Sequence, residues 1–378
     1  MDASLDFQFA VISDLHVGLS HTIHDHPTRF HLVEWSIPAL ENVFAELSQQ
    51  HIDFLLMPGD LTQHGEPENH AWLAKRLSEL PFPTYVIPGN HDIPVSEADE
   101  TSIAPCEFSG YYRDYGYGDE YSLEGYTQTL LPGVVLVGLN SNHFDAQGKQ
   151  TGNLTQSQLD WLDQTLSGLD ESLVLVMVHH NILEHFPEQT THPIGHRYML
   201  SNAPDLKKIL KRHRVQFVFS GHLHVQDIAA QDGLVDITTG SLVSYPHPYR
   251  LVHFHQDDAG RPVADVKSFR VKQIDACDDV QAFSREWMGD RSKAFMMRML
   301  TQDPLNLPEA QAKRLVVKLK YFWATIADGD PQFDKSEFPG PLQAYLAAYE
   351  QHQQNACDLE ITDNDTRIPV LSRATVTA

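Results

Sequence analysis

Aspartate, asparagine and histidine recur in five short segments of this chain, and these residue types are suited to metal-assisted hydrolysis. The segments are Asp14-Leu15-His16, Gly59-Asp60, Gly89-Asn90-His91-Asp92, His179-His180 and Gly221-His222-Leu223-His224. Oxygen and imidazole ligands without cysteine favour Mn, Fe or Zn. The candidate ligands are Asp14, His16, Asp60, Asn90, His179, His222 and His224. This set is too large for one tetrahedral catalytic ion and fits two divalent ions that share a bridging carboxylate.

Two of the segments contain a pair of ligands separated by a single residue. Asp14 and His16 form one pair, and His222 and His224 form the other. Because side chains alternate along a strand with period two, we expect each pair to point to one side, where both members could hold the same ion.

Glycine precedes two of the other candidates. Gly59 and Gly89 allow sharp turns that bring Asp60 and Asn90 close to an ion without a Cβ clash. The pair His179-His180 has two interpretations at this point, because two loop histidines without any ligand role would also fit the pattern.

The elements that must position these segments are predicted strands, and each segment begins at or just after the end of one of them. Apolar runs predict strands at 7–13, 53–58, 84–88, 133–141, 173–178 and 215–220, with helices between most of them. Ligands of open α/β sheets bind outside the carboxyl ends of the strands. We therefore expect the five segments to deliver their side chains to one place.

The rest of the chain contains a long loop and a group of further strands, and its pattern suggests a division into domains. Residues 93–132 are predicted to be a long loop that forms a binding rim or lid. Its tyrosines either stack on a nucleotide base or only pack the loop; they are Tyr111, Tyr112, Tyr115, Tyr117, Tyr121 and Tyr126. Strands without intervening helices follow Gly233. We predict a catalytic domain over 1–274, a helical domain over 275–356 and a flexible tail over 357–378.

Composition excludes several classes of protein. The chain has 378 residues, of which 42% are apolar and 21% charged, as in ordinary globular proteins. No apolar run reaches the roughly 18 residues of a membrane span. The N-terminal residues lack signal-peptide features and the three cysteines are widely spaced, so we expect a cytoplasmic protein. A net charge of −24 makes nucleic acid and membrane surfaces unfavourable partners.

The five segments together resemble the calcineurin-like metallophosphoesterases, and most of all the class III cyclic nucleotide phosphodiesterases. The resemblance implies an α/β fold, a four-layer α/β/β/α sandwich, here with a C-terminal helical domain. It also implies a ligand set in which Asp60 bridges the two ions. One ion would be held by Asp14, His16 and His224, and the other by Asn90, His179 and His222.

The same resemblance implies roles for the neighbouring residues. His91 is expected to be catalytic, facing the phosphate and assisting the leaving oxygen. Asn90 and His180 are candidate substrate-binding residues, and Asp92 either orients His91 or caps the next turn. Two ions would clamp the phosphate and lower the pKa of a bound water, so that hydroxide attacks phosphorus. Their charge would make the pocket attractive to an anion.

The predicted function is hydrolysis of a small anionic phosphodiester, most of all a cyclic nucleotide of the 3′,5′-cAMP type. Alternatives are a phosphomonoesterase, a nucleotide-sugar or glycerophosphodiester hydrolase, a nuclease and a non-catalytic metal-binding scaffold. The Ser/Thr protein phosphatases are disfavoured because their Asp-Arg-Gly is missing after Gly59-Asp60, and the purple acid phosphatases because His16 is present. The C-terminal helices could cover the site, form the face of a homo-oligomer or complete a bundle.

Overall fold

The computed structural model describes residues 5–24, 29–119, 125–169, 172–192, 194–351 and 361–371. The strands are β1 (Phe7–Val11), β2 (Phe54–Met57), β3 (Thr84–Val86), β4 (Gly125–Leu131), β5 (Val134–Leu139), β6 (Asn142–Phe144), β7 (Gln150–Gly152), β8 (Leu173–Val178), β9 (Phe217–Ser220), β10 (Asp227–Gln231), β11 (Leu234–Thr238), β12 (Pro248–Gln256), β13 (Pro262–Arg270) and β14 (Asp365–Pro369). The helices are α1 (Ser36–Leu47), α2 (Pro67–Leu77), α3 (Pro105–Tyr111), α4 (Gln156–Ser167), α5 (Ala203–Arg212), α6 (Val280–Thr301), α7 (Glu309–Leu315), α8 (Phe322–Ala327) and α9 (Gly340–Gln351). None of the described helices combines the length and apolarity needed to cross a lipid bilayer.

Two six-stranded mixed sheets form the centre of the structure. The first has the order β14-β13-β12-β1-β2-β3, and the second has the order β10-β11-β9-β8-β5-β4. Strands β1, β2 and β3 are parallel to one another, as are β5, β8, β9 and β11. Parallel strands end at a common edge, so the loops that follow β1, β2 and β3 lie side by side, as do those after β8 and β9.

The sheets pack face to face through aromatic side chains. The ring centroids of Phe9 and Phe219 are 5.4 Å apart, in an edge-to-face contact between the two sheets. Along β8 the side chains alternate: Leu175 and Met177 face the inter-sheet core, whereas Val174 and Val176 join the apolar residues of α4 and α5 on the outer face. With α1 and α2 packed against the first sheet, this arrangement is the expected four-layer sandwich.

The C-terminal helices α6 to α9 build a separate apolar core that also contains residues of the catalytic loops. Leu223, which lies between His222 and His224, is buried in this core, together with Phe186. The backbone N–H of Gln226 donates to the carbonyl of Ala327 at the end of α8. The helical unit therefore packs directly against the last of the five segments.

The prediction of a flexible tail over 357–378 is wrong for residues 365–369. These residues form β14, which pairs antiparallel with β13, and Ile368 is fully buried there. The strand contains one buried apolar residue and depends on a partner about a hundred positions earlier, so local pattern carries little sign of it. The rest of that predicted tail, apart from 361–364, 370 and 371, lies outside the described residues.

The loop predicted for 93–132 is also corrected, because it contains α3 and the edge strand β4. Its tyrosines are mostly packing residues: Tyr112, Tyr115, Tyr117 and Tyr126 are buried in the main core. Tyr121 lies outside the described residues. The alternative in which these tyrosines pack their own segment is the one the structure supports.

Candidate metal centre

The five segments meet at one edge of the two sheets, where backbone hydrogen bonds join the loops. The N–H of Asp14 donates to the carbonyl of Gly59 over 3.1 Å, and the N–H of His16 donates to the carbonyl of Asp60 over 2.9 Å. The N–H of His222 donates to both carboxylate oxygens of Asp14, each over 3.1 Å. The expected convergence of the segments is therefore present in the fold.

The reason for the convergence differs from the one predicted. β1 ends at Val11, so Asp14 and His16 lie in the loop beyond it, and strand alternation does not orient them. Most of the candidate ligands instead have left-handed backbones, with positive φ values: Asp14 (52°), His16 (43°), Asp60 (51°), His222 (66°) and His224 (59°). Such residues cost of order 1–3 kcal/mol each and concentrate at functional sites. The loops thus accept local strain in order to aim these side chains inward.

Two glycines make the close approach of the loops sterically feasible. Gly59 has a φ of +99°, and a Cβ on it would lie 2.5 Å from Nδ1 of His179. A Cβ on Gly89 would lie 2.2 Å from the backbone N of Asp60. The predicted role of these glycines is confirmed, and at Gly89 the requirement is space rather than an unusual turn.

One group of ligand atoms forms around Asp14. Its Oδ1 lies 3.0 Å from Nε2 of His224, and that nitrogen lies 3.4 Å from Nε2 of His16. Nε2 of His16 lies 3.8 Å from Oδ2 of Asp60. Asp14, His16, Asp60 and His224 each offer an atom within 4.8 Å of the others.

A second group shares Asp60. Its Oδ2 lies 3.4 Å from Nε2 of His179, and that nitrogen lies 3.2 Å from Oδ1 of Asn90. Asp60, His179 and His222 again offer atoms within 4.8 Å of one another. Oδ2 of Asp60 is buried without a hydrogen-bond partner. A buried carboxylate oxygen without a hydrogen bond is costly, and a cation on each side of it would remove that cost, so the residues present fit a two-ion site.

A hydrogen bond to the backbone determines which ring nitrogen of His179 points toward Asp60. Its Nδ1 donates to the carbonyl of Pro58 over 2.8 Å, which leaves Nε2 directed at Asp60. A backbone carbonyl that receives the other ring N–H is the usual support of a metal-binding histidine.

Electrostatics favours neutral imidazoles at several of these positions. Burial, followed by repulsion from neighbouring imidazoles, holds the pKa of His16, His31 and His222 well below the ordinary value of 6.5. A neutral imidazole keeps the lone pair that a ligand needs. At His179 burial acts in the same direction, but Asp60 outweighs it and raises the pKa to about 9.

His91 is oriented by a residue that sequence reasoning missed. Its ring Nδ1 donates to the backbone carbonyl of Gln63 over 2.7 Å, and its backbone N–H donates to Oδ1 of Asp60 over 2.8 Å. Asp92 does not orient it: that carboxylate accepts the N–H groups of Leu61, Thr62 and Gly89. Neither of the two roles considered for Asp92 is therefore the one observed, because its carboxylate joins the turn at Gly89 to the loop after β2.

A cavity of about 400 Å³ opens over the ligands and is lined by His91, Asn90 and His180. His180 is buried and forms a hydrogen bond of 2.8 Å with the hydroxyl of Ser141 through Nδ1. The described tyrosines of segment 111–126 are not among the residues lining this cavity, whereas Tyr198 and Tyr349 are.

His31 is a second residue that the five segments did not reveal. Its ring centroid lies 4.2 Å from that of His16 and 4.6 Å from that of His224, and the three residues form another potential ligand group. Nδ1 of His31 is buried and has no hydrogen-bond partner. The carbonyl of Phe30 accepts a hydrogen bond from the indole of Trp287 on α6, so the helical unit holds this loop. Only the tertiary fold brings His31 to this position, and no local sequence pattern indicates it.

Beneath the ligand loops lies a buried ion-pair cluster. Asp236 accepts the N–H of Ile182, after the His179 segment, and the hydroxyl of Ser220, before the His222 segment. His185 pairs with Asp227 at 2.6 Å and with Asp236 at 3.3 Å. Because one carboxylate joins both loops, this cluster supports the spacing of the second ligand group.

The cluster predicts a pH dependence of stability. Burial disfavours the charge of His185, but Asp236 and Asp227 outweigh it and raise the pKa to about 10. Stability from a raised pKa is fully present below the unfolded value of 6.5 and is lost as pH rises toward 10. In the metal-free protein, the free energy of unfolding should fall by at most about 1.4 kcal/mol per pH unit in this window. We expect His185→Gln to remove this fall. Urea unfolding of both proteins across that window measures it, and equal slopes would contradict it.

Comparisons with known proteins were consistent with this geometry. The family model of the calcineurin-like phosphoesterases matches residues 7–226. A "probable cyclic nucleotide phosphodiesterase" of Synechococcus sp. is 33% identical over 190 residues, covering 50% of this chain and 64% of that protein. A 3′,5′-cyclic adenosine monophosphate phosphodiesterase of Haemophilus influenzae is 27% identical over 185 residues, covering 48% of this chain and 59% of that protein. The chain thus spans less than two thirds of the length of either relative.

A solved structure supports the fold. A dimetal phosphatase from Danio rerio superposes with a TM-score of 0.52 at 15% identity, covering 70% of this chain and 96% of that one. At this identity the likeness concerns architecture alone. The family model spans more than half of the 378 residues and contains all five segments. The chain belongs to the calcineurin-like phosphoesterase family.

Proposed function

We propose that this protein is a two-metal phosphodiesterase that hydrolyses a small phosphodiester of the 3′,5′-cyclic nucleotide type. The observation that carries the proposal is the buried Oδ2 of Asp60, which accepts no hydrogen bond and lies 3.8 Å from Nε2 of His16 and 3.4 Å from Nε2 of His179. A single carboxylate oxygen placed between two ligand groups is the arrangement that a dinuclear centre requires.

The proposed ligand sets follow the two groups. Asp14, His16 and His224 would hold one cation, while Asn90, His179 and His222 would hold the other, with Asp60 shared. Divalent cations bound there would supply Lewis-acid activation of water and of the phosphate. The nitrogen and oxygen ligands favour Mn, Fe or Zn.

The chain's own residues account for the remaining chemistry. With Nδ1 of His91 donating to Gln63, its Nε2 is the nitrogen available to the cavity, and a protonated His91 gives that proton to the leaving oxygen as the P–O bond breaks. Asn90 and His180 would position the phosphate from the cavity wall. The buried setting strengthens each of these interactions relative to water.

The substrate class rests on the relatives. Both relatives described above are named for cyclic nucleotides, and another matched protein, from Arcobacter nitrofigilis, is a "probable glycerophosphodiester phosphodiesterase". The described cysteines Cys106 and Cys277 are free thiols, which fits the cytoplasmic location that we propose for an enzyme acting on nucleotides.

The test is turnover by purified protein loaded with manganese. The panel comprises cyclic AMP, cyclic GMP, their 2′,3′ isomers, a glycerophosphodiester, a nucleotide sugar and the mono- and bis-p-nitrophenyl phosphates. Hydrolysis of a 3′,5′-cyclic nucleotide, abolished by chelation and restored by metal, supports the proposal. Activity confined to the monoester would overturn it in favour of a phosphatase, and loss of all turnover with metal bound would favour a scaffold.

His31 gives a prediction on metal affinity that is independent of turnover. If its unpaired Nδ1 faces the ion held by His16 and His224, we expect His31→Ala to weaken binding of that ion about tenfold or more. Competition with a chromophoric chelator measures this affinity. The matched control is His21→Ala, an exposed histidine of the same segment whose partner is Glu68. Equal affinity of the two variants would exclude His31 as a further ligand of that ion.

A further inference from the structure

The cavity over the candidate metal centre has a second wall that the proposed hydrolysis does not use. This wall is aromatic and thioether in character, and most of it comes from the helical unit. It is formed by Phe186 from the loop after β8, Met288, Phe295 and Met299 of α6, Trp323 of α8 and Tyr349 of α9. All but Phe186 lie beyond residues 7–226, the part matched by the family model.

The aromatic rings of this wall form a connected surface. Phe295 and Trp323 meet at 5.5 Å between centroids with an interplanar angle of 61°, and Phe186 lies 6.4 Å from Trp323. Phe186 is also stacked on Tyr349 at 5.9 Å and 14°. Such rings attract another aromatic group by stacking or by edge-to-face contact, beyond what simple burial contributes.

The aromatic wall and candidate metal ligands line the same cavity. His222, Leu223 and His224 line the same cavity, and Leu223 is buried in the core formed by the helical unit. A substrate whose phosphate lies at the ligands therefore extends its substituent along the aromatic side chains. A cavity of about 400 Å³ has the size of ordinary small-molecule sites, so it accommodates one compact group.

The cavity lining also contains a cationic side chain. Arg197 lines the cavity and lies over the ring of Tyr198, 4.6 Å from its centroid, where it offers a cation to a phosphate oxygen. The chain as a whole carries a net charge of −24, which opposes long polyanions. A small monoanionic diester with one flat apolar substituent matches all of these features.

We propose that the helical unit is the specificity element of this enzyme, and that its aromatic wall binds an aromatic substituent, a nucleobase or aryl group, of the phosphodiester. The inference rests on the proposed function, because it places the phosphate at the candidate metal centre. It narrows the substrate class to diesters carrying an aromatic group and assigns recognition to Phe295 and Trp323, with Phe186 between Trp323 and Tyr349.

Calorimetric binding of three phosphonates to the manganese-loaded protein tests this inference. Methyl-, cyclohexyl- and phenylphosphonate share one anionic group and differ in the substituent. We expect phenylphosphonate to bind about tenfold more tightly than methylphosphonate, and more tightly than cyclohexylphosphonate. Trp323→Ala should reduce the phenyl-to-methyl preference to about twofold or less.

Two further variants keep the test interpretable. Phe295→Leu retains apolar volume at a partly exposed position, so it should fold even if Trp323→Ala does not, and it should also lower the phenyl preference. The control is Phe283→Ala, an aromatic residue of the same helix that is 46% exposed and packs on Trp35 outside the cavity. It should keep the full preference.

The outcomes separate this inference from the proposed function. Equal binding of phenyl- and cyclohexylphosphonate, or a preference unchanged in Phe295→Leu and in a folded Trp323→Ala, would overturn the aromatic site even if diesters are hydrolysed. A phenyl preference that depends on these residues, in a protein that hydrolyses none of the tested diesters, would support the aromatic site and overturn the proposed function.

Discussion

Replacing Asp60 by asparagine is expected to abolish the proposed dinuclear centre while leaving the fold intact. The amide keeps the size of the side chain and an oxygen that can accept the N–H of His91, but it removes the negative charge at the atom lying between His16 and His179. We expect the protein to retain at most one tightly bound ion and to lose at least about 10³-fold in turnover, because cations at such sites contribute several kcal/mol to the transition state. Elemental analysis after gel filtration gives the metal content.

A matched control exists at the other end of the same strand. Asp53 precedes β2 and accepts the N–H of Gln8 over 2.9 Å, far from the ligand loops. Asp53→Asn makes the same chemical change, and it should alter neither metal content nor turnover. If Asp60→Asn still bound two ions with turnover within about tenfold of the wild type, the bridging role would be untenable.

His91→Ala is expected to lower turnover by about 10²- to 10⁴-fold, the usual contribution of a general acid, without changing metal content. Its ring is fixed by the carbonyl of Gln63 and faces the cavity, and it belongs to neither ligand group. The size of the loss should depend on the leaving group. A cyclic nucleotide expels an alkoxide, which needs a proton, whereas p-nitrophenolate leaves without one.

The leaving-group comparison separates catalysis from positioning. A loss for cyclic nucleotides that exceeds the loss for bis(p-nitrophenyl) phosphate by about tenfold or more identifies His91 as the acid. Equal losses would show that the ring only shapes the cavity. His64→Ala is the control, since this exposed imidazole lies 5.9 Å from the His91 ring and should have little effect on either substrate.

The candidate centre could be predicted from sequence because its information is local. Each segment comes directly or shortly after a strand, and apolar runs locate strands well, as the match between the prediction and β8 (Leu173–Val178) shows. Gly59 and Gly89 were also interpretable, since only a residue without Cβ tolerates the contacts with His179 at Gly59 and with Asp60 at Gly89. The alternation of strands and helices indicated an α/β fold, whereas the four-layer sandwich came from the family resemblance.

Other features depend on contacts between distant residues, and these were missed. His31 reaches His16 and His224 only through the path of a loop held by Trp287. The backbone carbonyl of Gln63 that orients His91 carries no side-chain signature. The orientation of Asp14 was attributed to strand pleating, whereas a left-handed backbone produces it, and single sequences reveal such conformations mainly at glycine.

The C-terminal helices illustrate both outcomes. The helix α9 has a clear sequence pattern, because glycine and proline mark its first turn and apolar residues recur along it. Apolar residues also recur at helical spacing over 316–326, yet α7 ends at Leu315 and α8 begins only at Phe322. Of the roles considered for these helices, their residues in the cavity wall favour covering the site. A homo-oligomer through them stays a prediction.

The return of the chain to the first sheet as β14 determines how this helical unit can be exchanged. The unit leaves the sheet after β13, and the chain rejoins the same sheet at its edge, so it is an insertion with two fixed junctions rather than an appendage. Truncation after β13 would strip away the outermost strand and leave unpaired backbone groups, a surface prone to intermolecular pairing. To exchange the helical unit between homologues, the whole segment between β13 and β14 therefore has to be replaced, with both of its connections to the sheet preserved.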